Sequence, residues 1–379
     1  MHTNAGLPSY EALGREKALK LLLEEEYGCP LPRPDSLEFE EIKVAEDAFA
    51  GKAVHRTVEA KITWNGRAFS FPFQFVCPKA GQPVPAVVLI NFTSAVPDPC
   101  LPSEELCDLG LAVASFGCAD VSPDNGDFEA GAGGLFQVDR SLPTAPGKLA
   151  IWAWAASVLR DYLETRPEVD QEYTAVAGHS RMGKTALLAG ALDRRFQYVF
   201  SNESGCSGAA LYRGKTGETA KDIWSRFPYW FCPQFEQCTG DPETLDFDQH
   251  FLLSAIAPRK LYVCSAQEDL WSDPAGELRG CQAASAAYEA LGLPGLILED
   301  SQPQVGKVYH QGNIGYHLRS GSHFLSREDW QKFAISISSQ FVMYVLKLLF
   351  LPFPASQPAM LNHVSLSTMP QIVLFLLLL

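Results

Sequence analysis

The chain has 379 residues, with 30 lysines and arginines against 44 aspartates and glutamates, which gives a formal net charge of −14. Hydrophobic residues make up 47% and charged residues 20%, the usage of an ordinary globular protein rather than a disordered or fibrous one. Nucleic acids and anionic membranes bind to basic surfaces, so this acidic balance argues against both as main partners. We therefore expect no nucleic-acid partner.

The ten cysteines are too dilute for a disulfide scaffold, and no two of them form the CxxC pair of zinc ribbons or thioredoxin-like proteins. Cys118 and Cys264 lie in apolar runs, which favours small core residues. The first ten residues lack the basic stretch and apolar run of a secretory signal. Together these features predict free thiols and a cytoplasmic location.

The C-terminal end is unusually apolar. No Lys, Arg, Asp or Glu occurs from Leu348 to Leu379, and the chain ends in a short run of Ile, Val, Phe and Leu. That run is far shorter than the ~20 apolar residues of a membrane-spanning helix. We favour a helix packed on the core, followed by a hydrophobic tail of unknown role over residues 351–379, and expect no membrane partner. Membrane attachment through this tail stays the alternative.

The predicted elements alternate between helices and strands. Helical spacing predicts a first helix over residues 11–27, and strand alternation over 57–76, interrupted at Asn65-Gly66, predicts a β-hairpin. Continuous apolar runs then predict buried parallel strands over residues 84–91, 111–116, 173–177, 198–200, 260–264 and 314–318. Further helices are predicted over residues 149–165, 184–192, 275–291 and 326–349.

This alternation predicts an α/β fold, a three-layer, doubly wound and mostly parallel sheet with helices on both faces. The Trp-, Phe- and Pro-rich stretch 209–258 is predicted to be a lid-like insertion between strands six and seven. We divide the chain into an N-terminal helix and lead-in (1–50), one catalytic domain (51–350) and the tail (351–379).

A candidate nucleophile lies in Gly178-His179-Ser180-Arg181-Met182-Gly183, between a predicted buried strand and a predicted helix. A serine on such a sharp turn is forced outward, and the next backbone N–H and the helix N-terminus can stabilise an oxyanion. The spacing here is GxSxxG, in place of the usual GxSxG.

A serine nucleophile needs a base. His323 follows the last predicted strand directly before the final helix, and it is the best placed of the eight histidines. We expect His317, inside that strand, to be a core histidine and His250 to be structural. His179 is expected to point away from Ser180.

Two carboxylates compete for the third position of a catalytic triad. Asp269 follows the seventh predicted strand and Glu203 follows the sixth, both at the edge of the sheet where Ser180 is expected. Either could orient an imidazole through its second nitrogen. We leave the choice open and expect the two to share the role.

These residues resemble carbohydrate esterase family 15, the glucuronoyl esterases, and its bacterial branch in particular. The resemblance covers residues 84 to about 333 and rests on motifs in the family's order. They are Gly178-His-Ser-Arg-Met-Gly-Lys-Thr185, Ser201-Asn-Glu-Ser-Gly-Cys-Ser-Gly-Ala-Ala210, Gly217-Glu-Thr219, Phe227-Pro-Tyr-Trp-Phe-Cys232, Asp248-Gln-His250, Ala257-Pro-Arg259 and Ala266-Gln-Glu-Asp-Leu-Trp-Ser-Asp-Pro274.

The resemblance implies an α/β-hydrolase fold and a role for each matching residue. Ser180 matches the nucleophile, His323 the base and Arg181 a side-chain donor to the oxyanion. Glu203 matches the family's usual acid and Asp269 an alternative acid of bacterial members. The residues implied to contact the uronate sugar are Lys184, Glu218 and Trp271. No metal or organic cofactor is implied.

We therefore interpret the chain as a serine esterase that hydrolyses 4-O-methyl-glucuronoyl esters of plant-derived glucuronoxylan, or of its oligosaccharides, through an acyl-enzyme on Ser180. The nearest alternative is an intracellular deacetylase of acetylated xylan or sugars with the same triad. A non-catalytic sugar-binding protein of the same fold is a third interpretation. One departure from the family is His179, which stands where secreted fungal members have a disulfide-bonded cysteine.

Overall fold

The structure, a computed structural model, describes residues 6–300 and 302–337. The predicted tail at 351–379 and the second half of the helix predicted over 326–349 lie outside these residues. Among the residues described, no helix combines the length and the apolar character that crossing a membrane requires.

A ten-stranded sheet forms the middle layer of the molecule. Its strands are β1 (Ser36–Ala48), β2 (Ala53–Trp64), β3 (Arg67–Pro78), β4 (Val84–Asn91), β5 (Ala112–Gly117), β6 (Val169–His179), β7 (Tyr198–Asn202), β8 (Lys260–Ala266), β9 (Val308–Tyr309) and β10 (Ile314–Arg319). They lie side by side in the order β1-β2-β3-β5-β4-β6-β7-β8-β10-β9. The strands from β5 to β10 in this order are parallel, while β1, β2, β3 and β9 pair antiparallel.

Helices cover both faces, which confirms the predicted three-layer α/β fold. The α-helices are α1 (Tyr10–Leu13), α2 (Arg15–Leu22), α3 (Ser103–Asp108), α4 (Cys118–Val121), α5 (Gly131–Leu135), α6 (Lys148–Glu164), α7 (Arg181–Leu192), α8 (Ala220–Arg226), α9 (His250–Ser254), α10 (Pro274–Glu289) and α11 (residues 327–337). The larger apolar core lies between the sheet and α6, α7, α9 and α10. A second core lies under α3 and α11 on the opposite face. Both faces of the parallel strands are thus buried, as their continuous apolar runs require.

The N-terminal third contains one strand that the sequence analysis did not predict. The predicted hairpin is present as β2 and β3, and its turn residues Asn65 and Gly66 have φ values of 49° and 75°, as a two-residue type I′ turn requires. The unpredicted strand β1 pairs with β2 at the edge of the sheet. The helix predicted over 11–27 is divided into α1, α2 and a π-helix over Leu23–Tyr27, with a break at Gly14, where φ is 78°.

The insertion between β7 and β8 folds into short helices. It contains α8, α9 and three 3-10 helices at Pro228–Trp230, Pro233–Thr239 and Pro242–Thr244. All ten cysteines lie in the described part of the chain and are unpaired; Cys118 and Cys264 are buried, as predicted.

Candidate active site

The predicted site residues come together at the carboxyl edge of the parallel strands. Neighbouring strands are in register there, so β6, β7, β8 and β10 end at the same edge. Ser180 directly follows β6, Glu203 follows β7, Asp269 follows β8 and His323 follows β10. This edge is where open α/β sheets form their ligand sites.

Ser180 lies on a strained turn between β6 and α7. Its φ of 58° and ψ of −129° are unusual for a residue with a side chain, and its N–H donates to the carbonyl of Asn202 at 2.9 Å. A Cβ on Gly178 would lie 2.0 Å from the carbonyl oxygen of Met182, so only glycine fits at that position. The turn therefore has the geometry of a nucleophile elbow, although the buried Met182 replaces the usual glycine.

His323 contacts both candidate acids through one ring nitrogen. Its Nδ1 lies 2.6 Å from Oδ2 of Asp269 and 3.2 Å from Oε2 of Glu203. A proton on Nδ1 is therefore held by carboxylate oxygens, which leaves Nε2 as the basic nitrogen. This arrangement orients the imidazole in the way a general base needs.

The two acids differ in their other partners. Oε1 of Glu203 pairs with the guanidinium of Arg319, and its Oε2 accepts the N–H of Phe324 at 2.8 Å. Arg319 also donates to the carbonyl of Ser322 at 3.0 Å. Glu203 and Arg319 thus fix the loop that carries His323, while Asp269 makes the shorter contact with the ring.

Burial and hydrogen bonding act against each other on these three titratable groups. Burial lowers the pKa of His323, but its hydrogen bonds with Asp269 and Glu203 outweigh this effect and raise that pKa to about 9. Burial raises the pKa of Asp269, but the hydrogen bonds from His323 and Ser272 leave it below its ordinary value. The pKa of Glu203 is raised, chiefly by burial. The site thus favours an imidazolium next to Asp269, the charge state that forms during acyl transfer.

Arg181, the first residue of α7, is held in place by three side chains. Its Nε lies 2.9 Å from Oδ2 of Asp124. The guanidinium carbon lies 4.6 Å from the ring centre of Phe92 and 5.4 Å from that of Trp230. Because Oδ1 of Asp124 accepts Nε1–H of Trp230 at 2.7 Å, a single carboxylate fixes both the cation and the ring beside it.

The three predicted sugar-contacting residues form one connected group. Nζ of Lys184 lies 3.6 Å from Oε2 of Glu218, and Nε1–H of Trp271 donates to Oε1 of Glu218 at 3.2 Å. Lys184 is buried, and its ammonium also donates to the carbonyls of Ser204 and Cys206. Trp271 is 46% exposed, and the guanidinium of Arg226 lies over its ring, 5.5 Å from the ring centre.

His179 packs against the candidate base, a contact that the sequence analysis did not predict. Its ring centre lies 4.4 Å from that of His323, and its Nδ1–H donates to Oδ1 of Asn202 at 2.5 Å. Burial, and secondly the charge on His323, lower its pKa to about 4. It is therefore a neutral ring packed on the base.

The two histidines predicted to lie in the structure without a role in the site, His317 and His250, behave as predicted. His317 is fully buried and contacts Oδ1 of Asp329 at 2.9 Å and the hydroxyl of Tyr262 at 3.1 Å, so it is a core histidine. His250 is buried beside the carbonyl of Pro8, at 3.0 Å. Neither has a place in the site.

Two side-chain clusters in the described residues could hold a metal ion. They are His179–Glu203–His323 and Cys264–His317–Asp329. In the second cluster, Sγ of Cys264 lies 2.8 Å from Oδ1 of Asp329 and 3.0 Å from Nε2 of His317, which are hydrogen-bond distances. Hydrogen bonds alone therefore account for the second cluster.

Sequence reasoning missed Arg319 and Asp124. Both are charged residues that act through another side chain, which no spacing in the sequence shows. The one available signal was Arg319 at the end of an otherwise apolar strand, since a buried arginine there needs carboxylate partners. Asp124 lies in a loop, where an acidic residue carries no signal of its own.

Comparison with known proteins places the chain among esterases. The family model described as "Glucuronyl esterase, fungi" matches residues 60–292. A carbohydrate esterase from an unknown prokaryotic organism is 42% identical over 227 residues, which cover 58% of this chain and 51% of that protein. The 4-O-methyl-glucuronoyl methylesterase of Schizophyllum commune is 27% identical, over 74% of this chain and 68% of that protein.

The fold agrees with a solved relative. The glucuronoyl esterase from Solibacter usitatus superposes with a TM-score of 0.80 at 30% identity, covering 88% of this chain and 93% of that chain. By contrast, the chain spans only about half the length of the prokaryotic relative that it matches.

Proposed function

Since the chain belongs to carbohydrate esterase family 15, the glucuronoyl esterases, we propose that it is a serine esterase that hydrolyses 4-O-methyl-glucuronoyl esters through an acyl-enzyme on Ser180. The observation that carries the proposal is a strained elbow serine at the same edge of the sheet as a histidine whose Nδ1 contacts two carboxylates. The activity of Schizophyllum commune's protein, by its name, is of the same class.

The mechanism follows from the positions of the side chains. His323 Nε2 takes the proton of the Ser180 hydroxyl as its oxygen attacks the ester carbonyl. The negative charge that develops on the carbonyl oxygen is stabilised by the Arg181 backbone N–H at the start of α7 and by its guanidinium. The imidazolium then gives the proton to the departing alcohol. Water repeats the sequence on the acyl-enzyme, releases the uronic acid and restores Ser180.

The connected group Lys184–Glu218–Trp271 supports a sugar on the acyl side of the ester. A cation and a carboxylate 3.6 Å apart can bond neighbouring hydroxyls, with the ammonium donating and the carboxylate accepting. The exposed ring of Trp271 can cover the apolar face of a pyranose. The resemblance to the family assigns these residues to the uronate, and an acetyl group has no hydroxyls for them to bind, so we favour the glucuronoyl ester over the acetylated sugar.

A substrate panel on purified protein tests the proposal. We expect hydrolysis of methyl and benzyl glucuronate to exceed that of acetylated xylose in kcat/KM. Ser180→Ala should abolish turnover, with Ser141→Ala, a loop serine far along the chain from the elbow, as the matched control. Faster cleavage of acetylated xylose would establish the deacetylase instead, and full activity in Ser180→Ala would refute the mechanism.

A further inference from the structure

The candidate base lies in a group of three side chains that suits a transition-metal ion. One nitrogen of His179, one nitrogen of His323 and one oxygen of Glu203 all lie within 4.8 Å of one another. Two imidazoles and a carboxylate are a ligand set that Zn²⁺ takes in proteins, with nitrogen and oxygen ligands about 2.0–2.2 Å from the metal. Ligand atoms around such a tetrahedral ion are roughly 3.4 Å apart. Each distance between the three ligand atoms therefore has to shorten by about 1.4 Å at most for all three to bind one ion.

The outer contact of His179 is that of a metal-binding histidine. Nδ1–H of His179 donates to Oδ1 of Asn202 at 2.5 Å, which fixes the tautomer and leaves its Nε2 with a free electron pair. Oδ2 of Asp269 and Oε2 of Glu203 both face Nδ1 of His323, at 2.6 and 3.2 Å, so Nδ1 is the nitrogen that His323 offers to the ion. The outer partner Asn202 orients the imidazole of His179 and raises its basicity.

Two of the three side chains are fixed in place, whereas the third is partly exposed. His179 and Glu203 are buried and held in place by Asn202 and Arg319. The side chain of His323 is 41% exposed, so it is the member of the group with the most room to turn. Because Arg319 pairs with Oε1 of Glu203, Oε2 stays directed at His323.

We propose that His179, His323 and Glu203 form a Zn²⁺ site whose occupation reversibly inhibits the esterase. The ion acts as an inhibitor and not as a cofactor, because an ion on Nδ1 of His323 leaves the ring proton on Nε2, the nitrogen that must accept the proton of Ser180. The inhibition rests on the proposed function, whereas the binding of zinc does not.

Zinc binding is measured directly by calorimetric titration of ZnCl₂ into the Ser180→Ala protein, in which Cys29→Ser also removes the exposed thiol. We expect one ion per chain. Adding His179→Phe should weaken binding at least about tenfold, since losing even an outer partner of a metal site commonly costs that much. His310→Phe, in a loop at the opposite edge of the sheet, is the matched control and should leave binding unchanged.

Inhibition is measured on the Cys29→Ser enzyme with its serine intact. Zinc should abolish turnover, and excess EDTA should restore it. When each enzyme's rate is divided by its own uninhibited rate, the zinc concentration that halves activity should be at least about tenfold higher for His179→Phe. Where His179→Phe fails to fold, His179→Gln replaces it.

The outcomes separate this proposal from the proposed function. Zinc binding that is lost in Cys264→Ala and kept in His179→Phe would place the ion in the other cluster and overturn the proposal. Absence of binding to the Ser180→Ala protein would overturn it too. An enzyme inactive on every ester would refute the proposed function alone, because the titration still decides the site.

Discussion

Two carboxylates contact the imidazole of His323 at different distances. Asp269 lies 2.6 Å from Nδ1 and Glu203 lies 3.2 Å from it, and only Glu203 is also tied to Arg319. The closer acid does more to stabilise the imidazolium, and the farther one also positions the loop. This division explains why position along the chain could not rank the two acids.

We expect Asp269→Ala and Glu203→Ala each to slow turnover about 10–100-fold, and the double change to approach the ~10⁴-fold loss seen when a triad acid is removed. Asp269→Ala should also move the acidic limb of the kcat/KM profile to lower pH, because the hydrogen bond that raises the pKa of His323 most is lost. Steady-state kinetics from pH 5 to 10 measure both effects. Sharing would be refuted by an unaffected Asp269→Ala enzyme beside an inactive Glu203→Ala enzyme.

Asp124 is a positioning residue for Arg181. Asp124→Asn keeps the size of the side chain and an acceptor for Trp230 but removes the charge that holds the guanidinium. We expect kcat to fall about tenfold with little change in KM, less than the 10²–10³-fold cost of losing an oxyanion donor outright. The control is a double-mutant cycle: in an Arg181→Ala background, Asp124→Asn should cost nothing more. An equal loss in both backgrounds would show that Asp124 acts elsewhere.

At the scale of elements, α11 and the loop before it are connected to the site by one buried carboxylate. Asp329 accepts from Nε–H of Arg319 at 3.0 Å and contacts His317 at 2.9 Å. It also accepts the backbone N–H of Ser326 at 2.7 Å, at the start of α11. Arg319 in turn pairs with Glu203, so the helix start and the candidate base share one network.

Removing Asp329 therefore destabilises the fold and the site together. We expect Asp329→Ala to lower the free energy of unfolding by about 3–5 kcal/mol, the usual cost of leaving a buried charge without its partner. Arg327→Ala is the matched control on the same helix, since Arg327 makes an exposed surface pair with Glu105 and should cost about 0–1 kcal/mol. Urea denaturation measures both, and equal values would contradict the assigned role of Asp329.

Strands with a clear apolar signal were predictable from sequence, whereas β1 was not. The eight predicted strands bury one or both faces, and their pattern shows it. Strand β1 carries Glu38, Glu40, Glu41, Lys43 and Glu46, and most of its side chains are exposed, because it forms the edge of the sheet. Its apolar pairs Leu37/Phe39 and Ile42/Val44 fall out of phase at an irregularity between Glu41 and Lys43, so no single alternation covers the strand. Pairing with β2, a tertiary interaction, determines β1.

The same distinction applies to the site. Ser180, His323, Glu203 and Asp269 each directly follow a predicted strand, so parallel topology alone brings them to one edge. The contact between His179 and His323 depends instead on the path of the loop after β10. The roles of Arg319 and Asp124 likewise depend on tertiary contacts, which the order of residues along the chain does not predict.

At the scale of the whole molecule, the acidic chain also buries carboxyl groups beneath the site. Glu277 is fully buried and accepts from the N–H of Gly205 at 2.9 Å and the hydroxyl of Ser265 at 2.6 Å. Burial raises its pKa to about 7. Gly205 lies between the two residues whose carbonyls hold Lys184, so Glu277 supports the sugar-contacting group from below.

Activity and stability should therefore respond to pH in opposite directions above neutrality. The base must be neutral to accept a proton, so kcat/KM should rise with pH toward the His323 pKa of about 9. Stability changes in the opposite direction, because folding raises the pKa of His323 above its ordinary value of 6.5. The stabilising contribution of His323 is therefore complete below pH 6.5 and is lost as the pH rises through about 9.

Lys148 counteracts the loss of stability from His323 only at higher pH. Burial lowers its pKa to about 8, below the ordinary 10.5, so its unfavourable charge in the folded state disappears as the pH rises above 8. Between pH 6.5 and 8 the buried Glu26 and Glu277, whose pKa values burial raises to about 7, also lower stability as they ionise, so the contribution of His323 is the part of the fall that His323→Ala removes. We expect the melting temperature of the wild-type protein to fall across this interval while kcat/KM rises, and His323→Ala to flatten the fall. Thermal melts at closely spaced pH values measure the slope, and an unchanged slope in His323→Ala would show that other groups control alkaline stability.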